Sequence, residues 1–379
     1  MINEQDETAG QPSEMTHQAS DIKPATENQK KEPGKDVHAP PDGGLQAWLV
    51  VLGGFCTVFA SFGWINCIGV FQNYYETSQL RSQSPSSVAW IPSTESFMMF
   101  FWGPVAGVVA DNYGPRIPIL LGSFLHVFGI MMTSISKKYY QIFLAQSVCS
   151  AIGCAFLFYP IGNLTLKSLL PPSQRKFVLV EFLQPFKEPT FFFLAISSFF
   201  IYLGGFLPFN FIITQAIADG MSIELAGYLV PIINAASIFG RIVPAQFGDM
   251  YGVFNVMIIH TLLGGVFNLA VWLPARGNAP IIVFSILYGF TSGCTFSIIP
   301  AMIASFSEIR QLGARTGALY CASSFGVLIG SPIAGAITQT DKGGYSGLII
   351  FAGVMLLVGT IFAVISRIAL AGYRVQTKV

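Results

Sequence analysis

Charged side chains inside long apolar runs are the residues of this sequence that could do chemistry. Arg241 lies 16 residues after Leu225, where one such run begins, or about 24 Å along an α-helix. Charges inside a bilayer are costly, so Arg241 is a functional candidate, and its guanidinium could bind an anionic substrate. Alternatively, the side chain reaches the nearer water surface and braces a turn at Asp249. Both interpretations stay open.

Glu95 is the acidic counterpart, seven residues after Val88 and therefore about 10 Å from the start of its run. It could be a protonatable gate or a contact for a cation, or it could extend its carboxylate to the outer water. The depths of Glu95 and Arg241 differ by about 14 Å, so we do not expect a direct ion pair.

Amide and aromatic side chains complete the set of candidate binding residues. Asn66 and Asn234 could contact substrate, although each also fits an ordinary hydrogen bond between helices. Aromatic residues could line an apolar cavity or form belts at the membrane interfaces. The candidates of this kind are Trp64, Phe71, Tyr74, Phe158, Tyr159, Phe209 and Tyr288.

Several classes of function lack a signature here. There is no set of nucleophile, base and orienting residue, no phosphate-binding Gly-x-x-x-x-Gly-Lys loop and no metal-ligand spacing among the six cysteines. A net charge of +1 gives no basic surface for nucleic acid. The sequence predicts no enzyme, cofactor or metal. Its expected partners are a small organic acid or metabolite, the lipid bilayer and a possible coupling proton.

The elements that carry these residues are long apolar runs. Hydrophobic residues make up 53% of the 379-residue chain and charged residues 10%, against about 25% in soluble domains. A membrane-spanning helix needs about 20 apolar residues, and lipid requires such runs to be helical. Ten runs qualify: Gln46–Val70, Val88–Ala110, Ile117–Ile135, Tyr139–Gly162, Thr190–Thr214, Leu225–Phe247, Val253–Leu273, Ala279–Ile303, Ala314–Ile337 and Gly347–Leu370.

The distribution of positive charge orients these spans. With both termini in the cytosol, 14 of the 20 Lys and Arg residues face the cytosol, five face outward and Arg241 lies within a span. Cytoplasmic loops carry the excess of Lys and Arg in membrane proteins. We therefore predict a multi-pass plasma-membrane protein with both termini cytosolic.

The second and sixth runs end with the same residues. Asp111, Tyr113 and Gly114 recur 138 residues later as Asp249, Tyr251 and Gly252. Parallel repeats of this kind occur in secondary transporters, where short turns join neighbouring helices. We predict a conformational-turn motif formed by Gly107, Asp111, Gly114, Arg116, Asp249 and Gly252. A six-helix half needs roughly 180–200 residues, so the first half is short by about two helices.

Two further segments carry a family resemblance. Residues 40–48, Pro-Pro-Asp-Gly-Gly-Leu-Gln-Ala-Trp, resemble the entry to the first helix of monocarboxylate porters of the major facilitator superfamily, fungal members above all. Residues 330–335, Gly-Ser-Pro-Ile-Ala-Gly, resemble the penultimate helix of that family. The resemblance implies an all-α membrane protein with a major facilitator-type bundle. About ten helices (4 + 6) replace twelve, because the fifth helix and most of the sixth have no counterpart.

The resemblance also implies a function. Fungal relatives export secondary metabolites, so we expect efflux of a small organic acid or secondary metabolite. A proton-coupled monocarboxylate importer is an alternative, but Asn66 and Ser237 stand where lactate carriers of the family have Lys and Asp. A non-transporting remnant is a second alternative, because the missing fifth helix would help to wall the cavity.

These features divide the chain into five predicted segments. They are a disordered cytosolic tail (1–45), a first bundle of four helices (46–162), a cytosolic linker (163–189), a second bundle of six helices (190–370) and a cytosolic tail (371–379).

Overall fold

The computed structural model describes residues 44–166, 182–308, 311–341 and 344–373. These residues belong to one compact unit and form helices without any strand. The ten helices are α1 (Gly44–Val58, Phe59–Gly63, Trp64–Asn66, Ile68–Tyr74 and Tyr75–Gln79), α2 (Pro85–Phe101 and Gly103–Tyr113), α3 (Arg116–Ile135), α4 (Tyr139–Ile142, Phe143–Ser150 and Ala151–Leu166), α5 (Pro189–Gly205 and Leu207–Ala218), α6 (Ile223–Gly227 and Leu229–Tyr251), α7 (Val253–Phe267 and Asn268–Trp272), α8 (Asn278–Ser297 and Ile299–Phe306), α9 (Leu312–Thr340) and α10 (Ser346–Ala371).

Nine helices of the described residues are long and apolar enough to cross a membrane. The predicted run Val88–Ala110 is helical as α2 but is not among the nine. Its consecutive polar residues 93–96, Ser-Thr-Glu-Ser, lower the mean hydropathy of this helix. All four are buried inside the protein. The all-helical, multi-span prediction is confirmed, and α2 is the span whose polar face points inward.

Helices α2 and α6 begin and end in the same way. Ser84 accepts a hydrogen bond from the Ser87 amide at the start of α2, and Ser222 accepts one from the Leu225 amide at the start of α6. Both helices end at a glycine with positive φ, 75° at Gly114 and 92° at Gly252. A left-handed residue of this kind commonly ends a helix, which explains the glycine in both copies. We call the two ends of the bundle the Ser84 end and the Gly114 end.

The other residues of the predicted turn motif are placed as follows. Asp111 and Asp249 lie in the last turns of α2 and α6, respectively, while Arg116 is exposed at the start of α3. Gly107 lies inside α2, where a Cβ atom would meet no atom within 4 Å.

We call α1–α4 the first half of the bundle and α5–α10 the second half. Helix α2 packs along α9, and α1 packs against α5 near the Ser84 end, so these pairs join the halves. The approach of α1 to α5 requires a glycine, because a Cβ atom on Gly69 would lie 2.1 Å from the carbonyl oxygen of Phe209.

Packing is denser in the second half. Helix α5 lies between α9 and α10, and only a glycine at position 326 lets α9 approach, since a Cβ atom there would lie 2.3 Å from the Phe199 carbonyl oxygen. Of the most apolar stretch of α5, 72% is buried, against 17% for α1. Four large α1 side chains, Trp48, Leu52, Phe55 and Phe59, are between 55% and 72% exposed.

Some predicted segments lie partly outside the described residues. The tail is described only from residue 44, the linker is not described between 167 and 181, and the final residues 374–379 are also outside. Helix α4 continues past residue 162, the last residue of the predicted first bundle, to Leu166.

Candidate functional site

Arg241 meets an aromatic ring between the two halves of the bundle. Its Cζ atom lies 5.6 Å from the centre of the Phe62 ring of α1, a distance typical of a cation–π contact. Arg241 is half-buried and has no hydrogen bond or ion pair within the described part of the chain. The guanidinium donors are therefore available to an anionic ligand.

Two amide side chains extend this polar surface towards the Ser84 end. Asn234 precedes Arg241 by seven residues, two turns along the same face of α6. Asn66 follows Phe62 by four residues on α1 and is 6% exposed. Neither amide makes a side-chain hydrogen bond within the described ranges. We name Arg241, Phe62, Asn66 and Asn234 the Arg241 site.

A cluster of aromatic rings fills the centre of the bundle beside this site. The ring centroids of the stacked Phe100 and Tyr320 are 5.5 Å apart, and those of Phe206 and Phe296 are 4.9 Å apart. Six helices, α1, α2, α4, α5, α8 and α9, contribute to this cluster. Its members are Phe62, Phe100, Phe158, Tyr159, Tyr202, Phe206, Phe296 and Tyr320.

The predicted cavity aromatics divide between different places. Phe158 and Tyr159 belong to the central cluster. Phe209 packs against one of its members, with 6.2 Å between the ring centroids of Phe209 and Phe206. Tyr288 packs on Phe209, whereas Trp64 and Phe71 pack on each other inside the first half. Tyr74 is 54% exposed and lines no part of the cluster.

Glu95 lies inside the first half and does not extend to water. Of the alternatives for Glu95, the carboxylate extended to the outer water is wrong, because Glu95 is 0% exposed and its hydrogen-bond partners lie on α1 and α4. Its Oε1 accepts a hydrogen bond from Trp64 Nε1 at 2.5 Å, and its Oε2 accepts one from Gln146 Nε2 at 2.9 Å. The Tyr75 hydroxyl donates to Gln146 Oε1 at 2.5 Å. We name Glu95, Trp64, Gln146 and Tyr75 the Glu95 site.

Helix α1 contributes to both sites. Trp64 is two residues from Phe62, and its indole contacts Glu95 while the Phe62 ring contacts Arg241. The described residues contain no Glu95–Arg241 ion pair, as the estimated depths predicted. The sites are separate but share one helix.

Two histidines inside the bundle make hydrogen bonds within the protein. His126 bonds through Nδ1 to Ser150 Oγ at 2.9 Å, and His260 Nδ1 lies 2.8 Å from the Val256 carbonyl oxygen. The described ranges contain no group of three or more His, Cys, Asp or Glu residues that could hold a metal ion.

Sequence reasoning missed Phe62, Gln146 and Tyr75 as site residues. A signal for the Glu95 site exists in the sequence: four consecutive polar residues, 93–96, interrupt an otherwise apolar run. Such a group is costly in lipid and predicts an inward-facing surface with polar partners.

Comparison with known proteins identifies the family. The chain is 42% identical to the MFS transporter asaE of Aspergillus flavus, over 93% of this chain and 94% of that protein. The chain belongs to the major facilitator superfamily. The sequence profile of the Major Facilitator Superfamily matches residues 194–374. The transporter is also 36% identical to the Fujikurins efflux protein of Gibberella fujikuroi, over 86% of this chain and 84% of that protein. A crystal structure of the nucleoside transporter NupG has the same fold, with a TM-score of 0.60, 13% identity and coverage of 86% of this transporter and 99% of that chain.

The alignments contain positions that this transporter does not fill. Of its 379 residues, 93% is about 352 residues, so about 62 of the 414 positions aligned with asaE have no residue here. For the Fujikurins efflux protein, 86% is about 326 residues, which leaves about 63 of 389 positions unfilled.

Proposed function

We propose that this transporter exports an amphipathic organic acid or secondary metabolite across the plasma membrane. The observation that carries the proposal is Arg241, a cation between the two halves with no anionic partner in the described residues. An unpaired charge in a low-dielectric interior is costly, and an anionic group on the cargo would offset that cost. The similarity to the Fujikurins efflux protein supports the outward direction.

The surroundings of Arg241 match a cargo with one acidic end and an apolar body. The guanidinium has five donors in a fixed fork, which suits a carboxylate. Asn66 and Asn234 would bind carbonyl or hydroxyl groups of the cargo, while the central aromatic cluster would stack on its apolar part. Transport would be driven by gradients rather than by ATP.

We further propose that the transporter is of the monocarboxylate porter type and lacks two helices of the first half. The motifs at 40–48 and 330–335 support the subfamily. About 62 unfilled positions, or roughly the length of two spans with loops, support the loss of two helices. The low burial of α1 is the packing expected beside such a gap.

The Gly114 end of the bundle is proposed to face the cytosol together with both termini. The excess of Lys and Arg in the corresponding loops supports this orientation. In it, the turn motif at Gly114 and Gly252 lies where the two halves would close towards the cytosol.

Replacement of Arg241 tests the anion site. Arg241→Ala should lower efflux of a labelled organic acid about 30-fold or more. Removal of one charge of a desolvated ion pair costs about 2 kcal/mol or more of binding free energy, which corresponds to this factor. Arg241→Lys should retain part of the flux because the charge remains. The measurement is flux per transporter in reconstituted vesicles.

The control is Arg276→Ala, which removes an exposed arginine between α7 and α8 and should leave flux unchanged. Normal flux in Arg241→Ala vesicles would contradict the proposal. A collapse of membrane abundance in both Arg241 variants would instead assign the residue to folding.

The two alternative functions predict different fluxes. A proton-coupled importer would accumulate the labelled acid inside expressing cells, and a protonophore would abolish the accumulation. A non-transporting remnant would show no counterflow in vesicles for any acid tested. The exporter should show counterflow and lower the cellular content of the acid.

A further inference from the structure

The Glu95 carboxyl group is surrounded only by neutral donors. Both of its oxygens accept hydrogen bonds, one from an indole and one from an amide. The described residues place no Lys, Arg or His in contact with it. An ionised carboxylate without a cation is costly in an apolar interior, so a permanent structural role would favour glutamine at this position.

The groups that face Glu95 from neighbouring helices are also uncharged in their ordinary states. They are Tyr75 and Trp64 from α1, and Gln146 and Cys154 from α4. Behind Trp64, the His126 ring of α3 lies 5.8 Å from the indole and is bonded to Ser150. Glu95 is therefore the acidic group at the centre of this set.

We propose that Glu95 binds and releases a proton during the transport cycle. The proton would bind Oε2, and that oxygen would change from acceptor to donor. Gln146 would then turn its amide to present Oε1 to the new O–H, and the Tyr75 hydroxyl would accept from the Gln146 NH₂ instead of donating. The Trp64 indole, which can only donate, would keep Oε1 as its acceptor. No other group needs to gain or lose a proton.

We infer that protons reach Glu95 from the Ser84 end, where a second carboxyl group lines a cavity. Glu76 follows Tyr75 in the chain and accepts a hydrogen bond from Gln72 at 3.0 Å. It also lines a cavity of about 240 Å³ with Pro85, Phe211, Thr338, Gln339 and Tyr345. Protons would enter through this cavity from the predicted outer side, opposite to the direction of cargo.

Helix α1 would couple the two sites. Trp64 holds α1 to Glu95, while Phe62 contacts Arg241. Three π-helical segments lie in or beside the Glu95 site, Phe59–Gly63 and Tyr75–Gln79 in α1 and Phe143–Ser150 in α4, and such segments are frequent at functional sites. This inference rests on the proposed function for the cargo, but proton binding at Glu95 can be measured without cargo.

The first experiment is a pH titration of tryptophan fluorescence in lipid nanodiscs. The difference between the wild type and Trp64→Phe isolates Trp64 from the five tryptophans of the chain. Its emission should change with pH, because the carboxyl that it contacts changes charge. Glu95→Gln should abolish the change. Glu224→Gln, a control at an exposed carboxyl, should keep it. A change that persists in Glu95→Gln would overturn the proposal.

The second experiment separates coupling from cargo binding in vesicles. Glu95→Gln should lose stimulation of flux by a proton gradient but retain exchange of labelled for unlabelled cargo, which moves no net proton. Tyr75→Phe should weaken the stimulation, whereas Tyr74→Phe, at an exposed ring, should not. Gradient stimulation in Glu95→Gln, or loss of exchange with normal abundance, would overturn the proposal. If the wild type shows no exchange, the proposed cargo function fails, and the fluorescence result alone decides proton binding.

Discussion

Helices α1 and α5 open the two halves of the bundle, yet protein surrounds them very differently. Helix α5 is enclosed by α9 and α10 and is 72% buried over its most apolar stretch, whereas α1 is 17% buried. Lipid tails are as apolar as leucine, so exposure on α1 costs little hydrophobic free energy. Large side chains of α1 between Trp48 and Phe59 are exposed. Phe62 and Trp64, which contact Arg241 and Glu95, follow directly after this exposed part.

The repeats α2 and α6 differ in a second way. At an offset of 138 residues, Glu95 corresponds to the buried Ile233, and Arg241 corresponds to Gly103. Each repeat therefore carries a charge at a position that is apolar or small in the other repeat. The acidic group lies in the half whose first helix is 17% buried over its most apolar stretch, and the basic group lies in the half whose first helix is 72% buried.

The largest effect is expected from a side chain placed in the α5–α9 contact. Gly326→Leu would place a side chain against the Phe199 carbonyl oxygen. Ordinary overpacking costs about 1–3 kcal/mol of folding free energy, and we expect a larger loss here. The transporter should fail to accumulate in the membrane. Gly53→Leu on α1, where a Cβ atom meets nothing within 4 Å, should accumulate normally. Quantitative blotting of membranes measures the abundance of both variants. Equal abundance would show that the α5–α9 contact tolerates a side chain as well as the exposed face of α1 does.

Truncation of matched phenylalanines should give the next largest effect. Phe191 at the start of α5 is 0% exposed, so Phe191→Ala should destabilise the protein by about 3–5 kcal/mol. Phe59 on α1 is 69% exposed, and Phe59→Ala should change stability by about 0.5 kcal/mol or less. Thermal unfolding in detergent tests this difference. Similar losses for both variants would mean that α1 is covered in the protein.

The smallest effect concerns the ion pair that ties α5 to α9. Arg315 Nη1 donates to Glu188 Oε2 at 2.7 Å, and Nη2 donates to the other carboxylate oxygen. Because Glu188 is 45% exposed, Glu188→Gln should cost only about 1 kcal/mol. Glu224→Gln, at an exposed residue of α6, should cost less. A fall in melting temperature confined to Glu188→Gln would show that this ion pair adds to the restraint of α5. No fall in either variant would show that packing alone holds α5.

Much of the fold was predictable because lipid imposes simple rules on sequence. The apolar runs mark the helices, and the recurring Asp-x-Tyr-Gly residues mark the ends of α2 and α6. The same offset also relates Ser84 to Ser222, a repeat that a search for charged turns overlooks.

The Glu95 and Arg241 sites were less accessible to prediction. Depth along a helix suggested that Glu95 reaches water, but the direction of a side chain depends on which helices pack around it. Trp64, Gln146 and Glu95 come from three helices, and nothing in their spacing along the chain predicts the hydrogen bonds between them. The contact of Phe62 with Arg241 joins residues 179 positions apart and likewise requires the tertiary fold.

The π-helical turn at Phe59–Gly63 changes how α1 should be drawn. Such a turn holds one more residue than a regular turn, and each residue accounts for about 100° of rotation. Residues after Gly63 are therefore out of phase with those before Phe59. A helical wheel drawn through the whole of α1 would misplace Trp64 and Asn66 by about a quarter of the circumference. Cysteine scans and designed lipid-facing substitutions on this helix should be phased separately on the two sides of the turn.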